Sequence, residues 1–206
     1  MRSKRMMKIR NFEGMEKISN KNRTGIITVS VIILTAAFSR MMPHPWNYTP
    51  VGAMALFGAG WYASRRMAFL VPLISLWISD VVINNTIHAA YTDGFTLFHS
   101  SMIGVYAAFL ALTLVGVLLL RKVRVGSVLL AAVAGALVFW LIVDFAAWMW
   151  GFVPYPKTPA GLLASYSAGF PFFLNMLLGN LIYSVVLFGG FELARRRFPA
   201  LAWTTR

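Results

Sequence analysis

The chain has 206 residues, of which 59% are hydrophobic and 12% are charged, whereas about 25% charged residues is usual for soluble domains. Its mean hydropathy of +0.70 is typical of membrane proteins. The absence of cysteine excludes disulfides, thiolate metal sites and thiol nucleophiles. The formal charge of +13 would suit a nucleic-acid partner, but the positions of the basic residues, described below, are explained by membrane topology, so no such partner is expected.

Six apolar segments follow one another along the chain, and each is a candidate membrane span because about 20 apolar residues cross the hydrocarbon core. The segments are 25–42, 49–64, 67–84, 98–120, 127–150 and 172–192. The second is short and rich in glycine, whereas the fourth and fifth are long. We therefore predict an all-α transmembrane domain over residues 25–192, with about six helices and basic tails at residues 1–24 and 193–206.

The basic residues segregate to one side of the six predicted spans. Of the 19 lysines and arginines, all but Arg40 and Lys157 precede the first span or follow the second, fourth or sixth. Short connections that carry Lys and Arg stay in the cytoplasm. We therefore expect both termini to be cytoplasmic.

Three connections are predicted on the outer side, at residues 40–50, 84–99 and 151–172. They are rich in proline, aromatic residues, histidine and asparagine. Proline fixes φ and removes a backbone donor, so we expect the first and third connections to be rigid and non-helical. Rigid loops lose little entropy when a ligand binds, which favours three lids over a binding site. Plain connectors between spans are the alternative.

Several polar side chains lie inside or beside the outer halves of the spans, where ionisable groups are costly and usually functional. Four-residue spacing places Asp80, Asn84 and His88 on one face of the third span, as far as the helix extends beyond Asn84. Asp144 lies in the outer half of the fifth span. Each acid is either neutral, because desolvation raises a carboxyl pKa, or paired with Arg40 or Lys157. The three histidines could ligate a transition metal, since imidazole is a common ligand. They form no HxxxH or HExxH pair, which argues against a metal site without excluding one.

Four segments resemble the motifs of an uncharacterised family of small bacterial integral membrane proteins. They are PHPWNYTPVGAMALFGA, WISD, YPKTPAGLLASY and PFFLNMLLGNLIYSVVLFG, and they extend over about residues 40–190. That family shows P-H-P-x-N-x-T-P, Y-P-K-T-x-A-G-L and P-F-F-x-N-x-L-x-G-D in the same order, with aspartate where this chain has Asn180. The resemblance implies a multi-pass protein of the bacterial cytoplasmic (inner) membrane.

In size, span count and aromatic outer loops, the chain also resembles the substrate-binding S components of energy-coupling-factor vitamin transporters. This resemblance implies uptake of a small solute, vitamin-like or metal-containing, bound under the loops after spans one, three and five. It also implies a transporter coupling subunit as a possible partner. The pairs Ala55/Ala59 and Ala107/Ala111 suit either docking to such a subunit or packing within the bundle.

The main hypothesis is therefore a membrane protein that binds a solute, without enzymatic activity and without a resident cofactor. The candidate ligand contacts are His44, Trp46, Asn47, Asp80, Asn84, Tyr155, Lys157, Tyr166 and Asn175. Aromatic rings would stack on the ligand, while Asp80, Asn84 and Lys157 would fix its polar groups.

Two alternatives stay open. The first is a scaffold or assembly subunit without a ligand. The second is a membrane enzyme with Asp80, His88 and Asp144 as acid/base groups, although the sequence has no paired-carboxylate, zinc or serine-elbow motif.

Overall fold

The computed structural model describes residues 22–91, 94–198 and 201, so nearly all of the predicted tail at residues 1–24 lies outside the described residues. The described chain is helical. Its helices are α1 (Asn22–Met41, ending in a 3-10 turn at Ser39–Met41), α2 (Val51–Trp61), α3 (Arg65–Asn85), α4 (Met102–Leu119), α5 (Val125–Trp150), α6 (Pro159–Ser184) and α7 (Gly190–Arg197). A π-helical turn, Val185–Gly189, joins α6 to α7.

Five helical segments are long and apolar enough to cross a membrane: α1, α3, α4, α5 and the continuous segment from α6 to α7. Their outward faces carry large apolar side chains, such as the stripe of Leu110, Leu114 and Leu118 on α4. Such faces require a lipid environment, because soluble proteins rarely expose apolar patches of this extent. The chain is thus a multi-pass membrane protein, and the prediction of an all-α membrane bundle is confirmed.

The second apolar helix, α2, is too short to cross a bilayer alone. At 1.5 Å per residue it is about 16 Å long, and every residue in it except Gly60 is buried. It packs against α3, α4, α5 and α6. Gly116 of α4 lies directly against Ala59 and Leu56, which shows how small residues let the helices approach. The core of the bundle therefore forms around α2.

The non-helical stretch 42–50 leads into α2 by running along α6. Asn175 Nδ2 donates to the Trp46 carbonyl at 2.9 Å, about 24 Å along α6 from its start. Further along α6, the Thr49 backbone lies against Gly179 and Gly52 lies against the Asn180 side chain. The predicted non-helical first connection is confirmed, but it runs along α6 toward the start of α2.

The third connection differs from the prediction, because only residues 151–158 are non-helical and α6 begins at Pro159. Thr158 caps this helix by accepting a hydrogen bond from the Gly161 N–H at 3.1 Å. Proline suits the first helical position, where its missing N–H costs nothing. Pro171 lies inside α6, since membrane helices tolerate proline when neighbouring groups satisfy the freed carbonyl. The prediction that Pro159 belongs to a non-helical connection was wrong.

The two ends of the bundle differ in character. At the end that we call the basic end, Arg65 and Arg121 line one pocket, and Arg124 and Arg195 line another. The opposite end, which we call the polar end, contains Arg40, the connection between α3 and α4, and the connection between α5 and α6. The chain returns to the basic end after α2, since Trp61 and Asn22 line a common pocket there.

Candidate functional site at the polar end

An ion pair between α1 and α3 is the centre of the polar end. Arg40 Nη1 donates to Asp80 Oδ1 at 2.6 Å and to Ser79 Oγ at 2.7 Å. The Tyr106 hydroxyl of α4 donates to Asp80 Oδ2 at 2.9 Å. The two charged side chains are only 17% and 12% exposed. Of the two states that the sequence allowed for Asp80, the structure therefore shows the paired one, with Arg40 as the partner.

The end of α1 positions this arginine. The helix tightens into the 3-10 turn Ser39–Met41, and the Met42 N–H closes the turn on the Ser39 carbonyl at 3.1 Å. The exposed His44 ring then lies between the carbonyl oxygens of Arg40 (Nε2, 3.0 Å) and Pro45 (Nδ1, 2.9 Å). The histidine thus fixes the chain where it leaves the helix.

The last turn of α3 anchors the connection to α4. Asn85 accepts the Thr96 N–H and donates to the Thr96 carbonyl, both at 2.7 Å, and Trp77 Nε1 donates to the Leu97 carbonyl at 3.2 Å. Asn84, one turn beyond Asp80, is buried with its amide 3.9 Å from the sulfur of Met102, which is a weak acceptor. The predicted polar face of α3 ends here, because His88 follows the helix.

The facing surfaces of α5 and α6 hold the second acid. The Asp144 carboxylate packs so closely on Gly169 that no Cβ fits there. Within the described residues, this carboxylate has no ion-pair partner. Tyr166 donates to the Leu141 carbonyl at 2.9 Å, and its ring meets Trp140 edge-on with centroids 5.3 Å apart.

The connection between α5 and α6 is held by Trp148, whose Nε1 donates to the Pro156 carbonyl at 2.9 Å. The exposed Lys157 lies over the same indole ring, with Nζ 5.1 Å from the centroid, a cation–π contact. Tyr155 is half-buried in this connection. Lys157 therefore belongs to the loop and forms no ion pair with Asp144.

The structure brings only some of the predicted contacts together. His44 contacts the backbone of Arg40, which pairs with Asp80. Trp46 and Asn175 are hydrogen-bonded to each other. Tyr155 is two residues from Lys157 in the same loop. Asn47 adopts a left-handed φ of 61°, a conformation in which asparagine is enriched. Pockets of about 410, 550 and 160 Å³ lie at the basic end and include none of the predicted contacts.

Sequence reasoning missed Tyr106, Ser79 and Asn85. Tyr106 is a phenol in the first turns of an otherwise apolar span, which is a usable signal, whereas nothing local marks Ser79 or Asn85 as partners. Among the described residues, no cluster of three or more His, Asp or Glu side chains could hold a metal ion.

A family model matches residues 20–201, which include every helix described above. The chain belongs to DUF6580, a family of unknown function. No curated protein and no solved structure matches this DUF6580 chain. The expectation of an uncharacterised family is confirmed, and the resemblance to S components stays a prediction.

Proposed function

We propose that this DUF6580 protein binds a small anionic or zwitterionic solute at its polar end for uptake across a bacterial cytoplasmic membrane. The observation that carries the proposal is the network of Arg40, Asp80 and Tyr106 between three membrane helices. Charged groups in membrane segments are costly and usually mark a substrate or ion pathway.

The arginine has donors to spare for such a solute. A guanidinium offers five N–H donors, and here Nη1 serves Asp80 and Ser79 while Nε is buried without a partner among the described residues. A solute carboxylate or phosphate would accept from the free donors, since arginine binds such groups in planar, bidentate geometry. The indole of Trp46, which is 75% exposed, would stack on an aromatic part of the solute.

The distribution of charge supports one orientation of the chain in the membrane. Because basic segments stay in the cytoplasm, the basic end would face the cytosol and the polar end the outside. The chain has no cysteine, so single cysteines report topology directly. A membrane-impermeant maleimide should label Tyr155→Cys in intact spheroplasts, and label Lys122→Cys only after permeabilisation. The reverse pattern would contradict the uptake proposal.

Ligand recovery tests the binding itself. The full chain is purified in mild detergent, the bound small molecules are identified by mass spectrometry, and uptake of the identified solute is measured in cells. Arg40→Gln should reduce the recovered solute at least tenfold, since truncating one partner of a buried charge pair costs at least that factor. Glu192→Gln, which breaks the ion pairs of the basic end, is the matched control.

Trp46→Ala guards against a folding artefact, because its exposed ring should affect solute binding and leave stability unchanged. If both variants retain the solute at the level of the control, the site is not at the polar end.

A scaffold role without a ligand is the second candidate, and one observation favours it. Ala55 and Ala59 are buried inside the bundle, but Ala107 is exposed and Ala111 is half-exposed on the outward face of α4. Small residues at this spacing allow close approach of another helix. A partner captured equally by wild type and by Arg40→Gln, but lost on Ala107→Leu, would support this role.

A further inference from the structure

A pocket of about 550 Å³ at the basic end is formed by segments far apart in the sequence. Its walls come from the end of α2, the beginning of α5, the π-helical turn and α7. Single π-helical turns within α-helices occur frequently at functional sites. The volume lies within the range usual for ligand sites. This pocket is separate from the proposed solute site and shares no residue with it.

Three polar atoms of the pocket lining have no hydrogen-bond partner among the described residues. They are Trp61 Nε1, Ser184 Oγ and Arg195 Nε. Trp61 and Ser184 are almost completely buried. Buried polar groups are nearly always paired, so each such atom calls for an explanation. All three can donate a hydrogen bond, which points to a ligand that accepts.

The charges around the pocket select an anion. Arg124, Arg195 and Arg196 line it, together with the single acid Glu192. Glu192 pairs with Arg195 at 3.3 Å and with Arg196 at 3.2 Å. Arg124 forms no ion pair within the part of the chain that the structure describes. Three arginines against one glutamate give the pocket lining a net charge of +2, and Arg124 is the arginine without an ion pair among the described residues.

The remaining lining is apolar and open. Val125 is 79% exposed, Val185 is 63% exposed and Leu129 is also exposed. Val125 begins the membrane-spanning helix α5 directly after Arg124. The cationic and apolar parts of the pocket therefore meet at the basic end of this span. A free inorganic anion would leave this apolar surface uncovered, whereas a molecule with a charged head and acyl chains would cover it.

We propose that this pocket binds an anionic phospholipid. Its phosphate accepts hydrogen bonds from Arg124, Arg196 and the buried donors, and its acyl chains lie along Val125, Leu129 and Val185. Basic pockets between membrane helices recognise acidic headgroups in this way.

The test uses the full chain in detergent with phosphatidylglycerol, phosphatidylcholine or inorganic phosphate as the probe, and measures lipid retention by native mass spectrometry and the rise in Tm. Phosphatidylglycerol should bind at least tenfold more tightly than phosphatidylcholine. Arg124→Gln and Arg196→Gln remove exposed cations, and each should weaken phosphatidylglycerol binding about tenfold, the usual effect of losing a hydrogen bond to a charged group.

Lys122→Gln is the control, because it removes the same charge from the same end without lining the pocket. Ser184→Val should also weaken binding, by removing a donor and narrowing the pocket. Equal binding of the two lipids, or an equal loss with Lys122→Gln, would overturn the proposal. A rise in Tm with inorganic phosphate as large as with phosphatidylglycerol would likewise overturn the assignment to a lipid.

Discussion

Neutralising one partner of the Arg40–Asp80 pair should destabilise the bundle strongly. In the wild type, Arg40 Nη1 lies 2.6 Å from Asp80 Oδ1, and the two side chains are only 17% and 12% exposed. Asp80→Asn therefore leaves the Arg40 guanidinium without its counter-charge and with little access to solvent. Removing one partner from such a buried pair costs about 3–5 kcal/mol, most of which is the penalty for the charge left unpaired. Tyr106 also loses its carboxylate acceptor, which places Asp80→Asn toward the upper end of this range.

The double variant tests whether Arg40 and Asp80 stabilise the bundle as a coupled pair or independently of each other. In Arg40→Gln/Asp80→Asn no charge is left unpaired, so the loss should be smaller than the sum of the two single losses by about 2–3 kcal/mol. The assay is reversible unfolding of the full chain by increasing mole fraction of dodecyl sulfate in mixed micelles. Glu192→Gln supplies the comparison, since its ion pairs are more exposed and worth about 1 kcal/mol or less. Additive losses, or an Asp80→Asn loss no larger than that of Glu192→Gln, would refute the reasoning.

Two further predictions concern packing and pH. Gly52→Ala should destabilise the bundle by about 1–3 kcal/mol, because a Cβ would overlap the buried Asn180 side chain, whereas Gly126→Ala, where a Cβ meets nothing within 4 Å, should be neutral or slightly stabilising; equal unfolding midpoints in mixed micelles would contradict this. Burial raises the pKa of Tyr62 to about 12, while its hydrogen bond with Ser30 opposes the rise. The stability from keeping this phenol neutral is complete below about pH 10 and is lost as pH rises toward 12. Between about pH 9 and about pH 11, the free energy of unfolding of the wild type should therefore fall by about 1 kcal/mol more than that of Tyr62→Phe.

The membrane helices could be predicted well because length and apolarity alone define a span. The predicted segment 67–84 corresponds to Arg65–Asn85, and 127–150 corresponds to Val125–Trp150. Proline is ambiguous in such sequences, since Pro159 starts a helix and Pro171 lies within one. The sequence pattern placed Pro159 in a loop, so the last span was predicted to begin at residue 172 and α6 in fact begins at Pro159.

The sites could be predicted only where one residue was unusual in its own segment. Arg40 and Asp80 were both marked as unusual, and their pairing was among the expected states. The partners Tyr106 and Asn85 were not predicted, because contacts between helices depend on how the helices rotate against one another. The basic-end pocket was not predicted for the same reason, since Trp61 and Ser184 are unremarkable until α2 and α6 are packed together.

The enclosure of α2 has a consequence for how the protein is made. A segment of 11 residues gives the insertion machinery a weaker signal than a full span, and in the finished bundle nearly all of it is buried by other helices. Its backbone has to satisfy its own hydrogen bonds during synthesis, yet α4, α5 and α6, which cover it, emerge from the ribosome later. Packing around α2 is therefore complete only after α6 has been made, and until then α2 lacks three of the four helices that cover it in the finished bundle.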